Sequence, residues 1–236
     1  MIEFTKLQKD LLDMRVSIII PILDEAIILP RLLDNLQGLA AEIIFVDGGS
    51  TDGSITLMRK AGYRCFEAPA GRAIQMNAGA AIASGDVLLF HHADSLLPRG
   101  CLNNIRRSIE NGFVGGSFEL QLDTSRALFR IVGFMITLRS RLAGVSTGDQ
   151  GMFVTRAAFD ELAGFTEQPI FEDVDMSLRL QRVGRVCQLH PPILTSSRRW
   201  EIQGAYRTVL RMWVLRALYY VGVSPQRLAQ YYGAPR

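Results

Sequence analysis

The segment RVSIIIPILDE, residues 15–25, opens on a run of β-branched residues, reaches a proline and runs out into two acids. A stretch apolar at nearly every position reads as a strand buried on both faces, as in a parallel sheet covered by helices on both sides. A helical pattern from about Ile28 to Leu39 and a second apolar run, EIIFVD at 42–47, extend the unit. Asp52 can cap the next helix, to about Ala61, and a short strand YRCFEA follows at 63–68. Gly71 and Arg72 open a helix through Ala83, and DVLLF at 86–90 is a fourth strand. Strands alternating with helices of this length predict right-handed βαβ units, hence an α/β fold with a mainly parallel sheet.

Beyond Pro98 the rhythm changes. A helix near 98–110 leads into GGSFELQL at 115–122, whose alternation predicts an antiparallel strand, and then into an amphipathic segment at 125–142. GMFVT at 151–155 reads as a further strand, 156–163 and 172–183 as helices, VCQLH at 186–190 as a short strand, and 203–231 as two terminal helices. There is no internal repeat or low-complexity tract. The expected division is an N-terminal extension over 1–14, one domain over 15–202 and a helical appendage over 203–236 packed on it.

With 236 residues and 48% hydrophobic content the chain can build a core without disulfides. Cys65, Cys101 and Cys187 are too scattered for a zinc site, so a reduced, cytoplasmic setting is expected. The start, MIEFTKLQKDLLDM, has no apolar signal core. The apolar stretches 127–138 and 205–223 are broken by Arg130 and by Arg207, Arg211 and Arg216, so neither reads as a membrane span. The net charge of +3 hides an uneven distribution: residues 1–123 hold 11 Lys and Arg against 15 Asp and Glu, and residues 124–236 hold 15 against 8. Every basic residue in the second half is arginine. Arginine forks grip phosphate and carboxylate and suit a lipid headgroup surface; they serve equally as a solvated face.

In an open parallel sheet, ligands bind beyond the carboxyl ends of the strands. Here the first strand runs into Asp24 and Glu25, the second into DGGSTDG at 47–53, and the fourth into HHAD at 91–94. Such an acidic rim holds a polyanion only with a divalent cation, which oxygen ligands select as Mg2+ or Mn2+, or with arginines nearby. Glycines such as Gly49 permit a tight turn and close backbone approach. No GxGxxG follows an early strand and no GxxxxGK[ST] occurs, which argues against a dinucleotide site and a P-loop.

The order IIIPILDE, FVDGGSTDG, GRAIQMNAG, GDVLLFHHAD, GDQGMF and FEDVD, spanning about Arg15 to Trp200, resembles the family 2 glycosyltransferases of the GT-A fold. It is close to the small bacterial radical-SAM/selenodomain-associated glycosyltransferase subgroup. The resemblance implies a Rossmann-like mixed sheet flanked by helices and an inverting transfer of a sugar from a nucleotide-diphosphate sugar to a hydroxyl acceptor, small or lipidic. It assigns Pro21, Asp24, Glu25, Asp47 and Gly49 to the nucleotide pocket, with Asp47 on the base, and turns Arg72 toward the ribose or diphosphate, with Gln75 and Asn77 on the same helix start. Ordinary capping and solvation explain Gln75, Asn77 and Asp52 as well.

Asp94 matches the last acid of the family's DxD element, which holds the metal on the diphosphate. The element here reads His92-Ala93-Asp94, so a histidine replaces its first acid and weakens a hard-cation site, while leaving His92 a metal or hydroxyl ligand. His91 is expected to point into the protein. Glu172-Asp173 stand where the family places its general base, with Asp173 the base, Glu172 shaping its field and Asp175 a solvated helix residue. Asp149 in GDQG is the second candidate base or an acceptor ligand, or a turn former. Arg198, Arg199 and Trp200 resemble an acceptor-side motif that closes on diphosphate and sugar. Arg179, Arg182 and Arg185 read as a solvated helix end.

Segments 126–142 and 205–223 combine arginines with aromatic and apolar residues, a pattern for peripheral contact with the inner face of a membrane, for a homodimer interface or for packing on the core. No nucleic-acid partner is expected. The rival functions are a nucleotidyltransferase of related architecture and a catalytically idle nucleotide-sugar-binding protein.

Overall fold

A computed structural model describes residues 14–124, 126–197 and 205–232. Strand β1, Val16–Ile22, is buried at every position and is followed by α1, Leu29–Leu36, β2, Glu42–Asp47, α2, Ser54–Lys60, and β3, Arg64–Glu67. Then come α3, Arg72–Ile82, β4, Val87–Phe90, β5, Ser95–Leu96, and α4, Cys101–Glu110. The second half contains β6, Phe113–Leu122, α5, Ala127–Ala143, a 3-10 turn at Gly148–Gln150, β7, Met152–Thr155, and α6, Arg156–Glu161. It closes with α7, Glu172–Val183, β8, Arg185–Thr195, α8, Ala205–Tyr220, and α9, Pro225–Tyr232.

One sheet runs in the order β3-β2-β1-β4-β7-β6-β8-β5. The β3, β2, β1 and β4 neighbours are parallel, as the alternating pattern requires. From β4 on the sheet is mixed: β7 is antiparallel to both β4 and β6, and β6 is parallel to β8. The antiparallel expectation for 115–122 therefore holds toward β7 and is corrected toward β8.

The β-branched run of β1 feeds two cores. Ile18, Ile20 and Ile22 join Phe45, Leu89 and Phe153 beneath α1, α2 and α4. Ile19 joins Val46, Leu88 and Phe90 on the side of α3 and α6. Pro21 sits inside this strand without breaking it. Its neighbour Ile19 accepts from the His91 amide on the β4 side, so the nitrogen of Pro21 points the same way; β4 has already ended there, at Phe90, and no ladder bond is lost.

Strand β8 is longer than the expected 186–190. Pro191 and Pro192 lie inside it, at an irregularity where the register with β6 jumps from Phe118↔Leu189 to Leu120↔Ile193. A bulge leaves prolines free of ladder duties. The inner faces of α8 and α9 cover the start of α7: Leu215, Leu228 and Tyr232 pack with Val145, Ile170, Phe171 and Val174. No helix among the described residues is long and apolar enough to cross a membrane.

Candidate active site

The loops after β1, β2 and β4 meet at one end of the sheet. Asp24 has a left-handed backbone, φ 54°, which aspartate tolerates better than most residues, and its Oδ1 accepts from the Thr51 amide at 2.7 Å. The Asp24 amide donates to Ser50 Oγ, the Glu25 amide to Ser54 Oγ and the Ala26 amide to Asp52 Oδ2. Asp52 also accepts from the Ser54 amide and hydroxyl; the cap position of α2 is Gly53, so Asp52 stands one residue before it rather than at the cap. Burial works against its charge, yet the hydrogen bonds from Ser54 and Ala26 prevail and hold its pKa below the usual value.

Asp47 ends β2, fully buried. Its Oδ2 accepts from the Gly49 and Ser50 amides at 2.8 and 2.9 Å, while Oδ1 is buried without a hydrogen-bond partner. These residues wall an open cleft of about 480 Å³ with Ile55, Glu67, Ala68 and Pro69. Gly49, at φ 100°, supplies a backbone that a side chain would strain. Asp47 and Gly49 thus share the cleft, whereas Pro21, Asp24, Glu25, Arg72 and Asn77 are not among its walls.

Helix α3 distributes its polar residues differently from the sequence expectation. Gln75 Nε2 donates to the carbonyls of Ile22 and Val46, tying the ends of β1 and β2. Asn77 donates to the Phe165 carbonyl and accepts from its amide, so both amide atoms are engaged away from the cleft. Arg72 points at the acids of α7, with Nη1 3.7 Å from Glu172 Oε1. Burial opposes its charge, but Glu172, Tyr232 and Asp173 raise its pKa further.

The fourth-strand loop meets these acids. His91 is buried, with Nε2 2.8 Å from the Ser95 carbonyl and Nδ1 unpartnered; burial lowers its pKa to about 4, so it is neutral. Ala93 is buried in the core. His92 stands against Gly148: a Cβ there would lie 2.5 Å from His92 Nε2 and 3.6 Å from Asp173 Oδ2. The Gly148 amide in turn donates to Asp173 Oδ2 at 2.6 Å. A side chain at 148 would push the His92 ring away, while Asp173 would remain at ordinary contact distance.

Asp94 is solvent-exposed at the mouth of this region yet hemmed in by protein. That enclosure and the like charge of Asp149 push its pKa up, against the pull of Arg72. Asp149 holds a buried Oδ1 with no partner. Asp173 is raised by burial, against the Gly148 amide and Arg72. Glu172, 3% exposed, is pushed up to about 7 by burial, with Arg72 opposing and Asp173 adding to the rise.

This titration has a stability consequence. Glu172 binds its proton more tightly folded than at its ordinary value of 4.5, so between pH 4.5 and about 7 the folded state carries more protons and stability falls as pH rises. Glu172→Gln is expected to flatten that decline, read as the difference in thermal midpoint between pH 5 and pH 7.5. An unchanged slope would assign the decline to other groups.

Two residues at the site were missed from sequence. Tyr232 of α9 hydrogen-bonds Arg72. Arg139 of α5 comes within electrostatic reach of Asp149 and Asp173; burial lowers its pKa against their pull, and its Nε is buried without a partner. The signal for Arg139 was its phase, because Phe129, Val132, Ile136 and Arg139 follow helical spacing along the inward face of α5. Two solvated readings are corrected. Arg179 pairs with Asp175 at 2.8 Å and donates to the Leu162 and Gly164 carbonyls, pinning α7 to the preceding turn, and Thr166 donates to the same Asp175. Arg198, Arg199 and Trp200 lie outside the described residues.

Comparison with known proteins accords with this architecture. Residues 1–349 of S. aureus TarS align at a TM-score of 0.63 and 15% identity, covering 93% of this chain and 69% of that one. The mannosyltransferase PcManGT from Pyrobaculum calidifontis, in complex with GDP-Man and Mn2+, aligns at 0.65 and 20%, covering 90% and 66%. Glucosyl-3-phosphoglycerate synthase from Mycobacterium tuberculosis, with Mn2+, UDP and glucosyl-3-phosphoglycerate, aligns at 0.58 and 17%, covering 80% and 73%. At these identities the likeness speaks to a shared GT-A fold. No curated protein matches the chain. The pattern described as Glycosyl transferase family 2 matches residues 17–161, more than half of the sequence, and the chain therefore belongs to that family of glycosyltransferases.

Proposed function

We propose that this protein moves a hexose-type unit from a nucleoside-diphosphate sugar to a hydroxyl acceptor, small or lipidic, with inversion at the anomeric carbon. The observation that carries the reading is the meeting of the 91–94 loop with Gly148 and Asp173, brought from distant parts of the chain to the end of the sheet where Asp47 walls a cleft. The solved relatives hold Mn2+ or Mg2+ with GDP-mannose, UDP or UDP-glucose, which supports a donor of this class. Within the family, the motif order favours the radical-SAM/selenodomain-associated subgroup.

In this reading the unpartnered Oδ1 of Asp47 accepts an N–H of the nucleotide base, with Gly49 allowing the base to approach and Pro21, Asp24 and Glu25 shaping the loop beside it. Asp94, helped by His92, holds the divalent cation. The residues fit such an ion: Asp94 strains against Asp149, and a cation relieves two like charges. Among the described residues no group of three or more His, Cys, Asp or Glu side chains gathers at one point, so Asp94 and His92 are the residues that would hold the ion. When bound, the cation supplies positive charge for the departing diphosphate.

Asp173 takes the acceptor proton as the hydroxyl oxygen bonds to the anomeric carbon and the bond to the diphosphate breaks, through an oxocarbenium-like transition state. Arg72 and Glu172 fix the field around that base. Asp149, within electrostatic reach of Arg139, is the second candidate base or a ligand of the acceptor. Arg198, Arg199 and Trp200 are proposed for the diphosphate and sugar.

A thermal-shift screen of nucleotide sugars with Mg2+ and Mn2+ tests the reading, since a ligand bound only by the folded state at a hundred times its Kd adds about 2.7 kcal/mol. A rise in midpoint with one nucleotide sugar, dependent on metal, and release of its diphosphate on adding acceptor is expected. Pyrophosphate release from a nucleoside triphosphate would favour a nucleotidyltransferase; donor binding with no turnover would favour an idle binder.

A further inference from the structure

Helices α5 and α8 each carry two apolar faces. On α5, Phe129, Val132 and Ile136 pack inward with Leu120 and Leu122 of β6. The other side turns Ile131, Phe134, Met135, Leu138 and Leu142 to solvent, with Phe134 64% exposed. On α8, Met212, Leu215 and Tyr219 pack inward. Leu210, Trp213, Val214 and Leu218 face out, with Trp213 58% exposed. Steps of three and four residues keep each set on one side of its helix. Outward apolar stripes on two helices mark a contact surface.

The surrounding charge selects the partner. Residues 126–143 and 205–232 together contain eight arginines and no Asp or Glu. Arg126, Arg130 and Arg227 are exposed, and Arg141 is paired with Glu119. A symmetric contact with a second copy would press this basic patch against itself. An anionic bilayer complements it: apolar side chains enter the acyl boundary, arginines reach phosphate, and Trp213, Tyr220 and Tyr231, all exposed, suit the headgroup level. We propose that α5 and α8 form a platform that docks this protein on an anionic membrane surface, lying on it rather than spanning it.

The platform borders the catalytic cluster. Leu138 faces out and its neighbour Arg139 faces Asp149 and Asp173. The two lie around one helix, a cylinder roughly 10–12 Å across. Tyr220 of α8 is within electrostatic reach of Arg139 and Asp173. Docking thus sets the carboxylates near the headgroups and favours an acceptor hydroxyl carried on a lipid. That consequence rests on the proposed catalytic reading; the docking does not.

Flotation of the full chain with phosphatidylcholine vesicles, with and without phosphatidylglycerol, tests the docking without donor or acceptor. Recovery at low salt is expected to be at least about tenfold greater with the anionic vesicles and to fall toward 1 M salt, where the screening length is about 3 Å. Phe134→Glu combined with Trp213→Glu is expected to reduce recovery by about tenfold, because binding scales with the apolar area inserted. Arg126→Gln with Arg130→Gln provides a milder pair that leaves both stripes intact and should lower recovery at low salt while the thermal midpoint holds. No recovery with anionic vesicles, or equal recovery with neutral ones, overturns the proposal. So does a lipid-free dimer in sedimentation that the Phe134 and Trp213 substitutions dissolve, since a second copy would then be the occupant.

Discussion

Asp173→Asn is expected to lower transfer by about 10²–10⁴-fold, the range a positioned general base contributes, and to leave donor affinity near the unmodified value. In the proposed mechanism the base acts on the acceptor proton, so its loss should fall on the chemical step. The substitution is close in shape, and an asparagine oxygen can keep the hydrogen bond from the Gly148 amide while the one from the Val174 amide is lost. The raised pKa of Asp173 brings the base nearer to working pH, which increases its pull on a hydroxyl proton. Activity of the unmodified enzyme should therefore rise with pH through a limb above the usual carboxylate range. Single-turnover kinetics with a calorimetric donor titration separates the two effects. Full activity in Asp173→Asn with loss in Asp149→Asn would transfer the base role to Asp149, and loss of donor affinity would make Asp173 a donor ligand instead.

That experiment targets a residue legible in the sequence, and the reasons others were not legible are physical. Strand β1 could be read because burial on both faces imposes an apolar residue at nearly every position from 16 to 22, and α/β alternation fixed its neighbours. The whole of β8 could not, because Pro191 and Pro192 look like a stop unless it is known that they lie in a bulge of β8 itself, where three residues face the single Glu119 of β6. The acids at the strand ends were visible as a rim. Which group each would face was not: Arg72 reads as a phosphate ligand until α7 delivers Glu172, 100 residues later, to within 3.7 Å. Asn77 likewise finds Phe165 and Arg179 finds the 162–164 turn through tertiary contacts that leave no local pattern. Arg139 is the intermediate case, a charge on the inward stripe of an amphipathic helix, detectable by phase but not by motif.

Asp94→Ala is expected to cut kcat/KM by about 10²-fold or more at subsaturating metal, because a bound cation contributes several kcal/mol to the developing charge and each 1.36 kcal/mol is tenfold. The loss should appear first in donor binding, in contrast to Asp173→Asn. Asp94 is the exposed carboxylate of the 91–94 loop, and His92 beside it is a softer partner than the acid it replaces, so little remains to hold a hard cation once Asp94 is gone. Removing Asp94 also removes its repulsion with Asp149. The substitution also removes the pull of Arg72 and the Ser95 hydrogen bond, so the thermal midpoint of the variant is measured beside its activity to separate loss of metal from loss of fold. Donor affinity measured across a Mn2+ titration is the decisive readout: the parent should bind more tightly as metal rises and the variant should not. Identical Mn2+ dependence in the two proteins would remove Asp94 from the metal site and leave the acids of α7 and Asp149 as the alternatives to test.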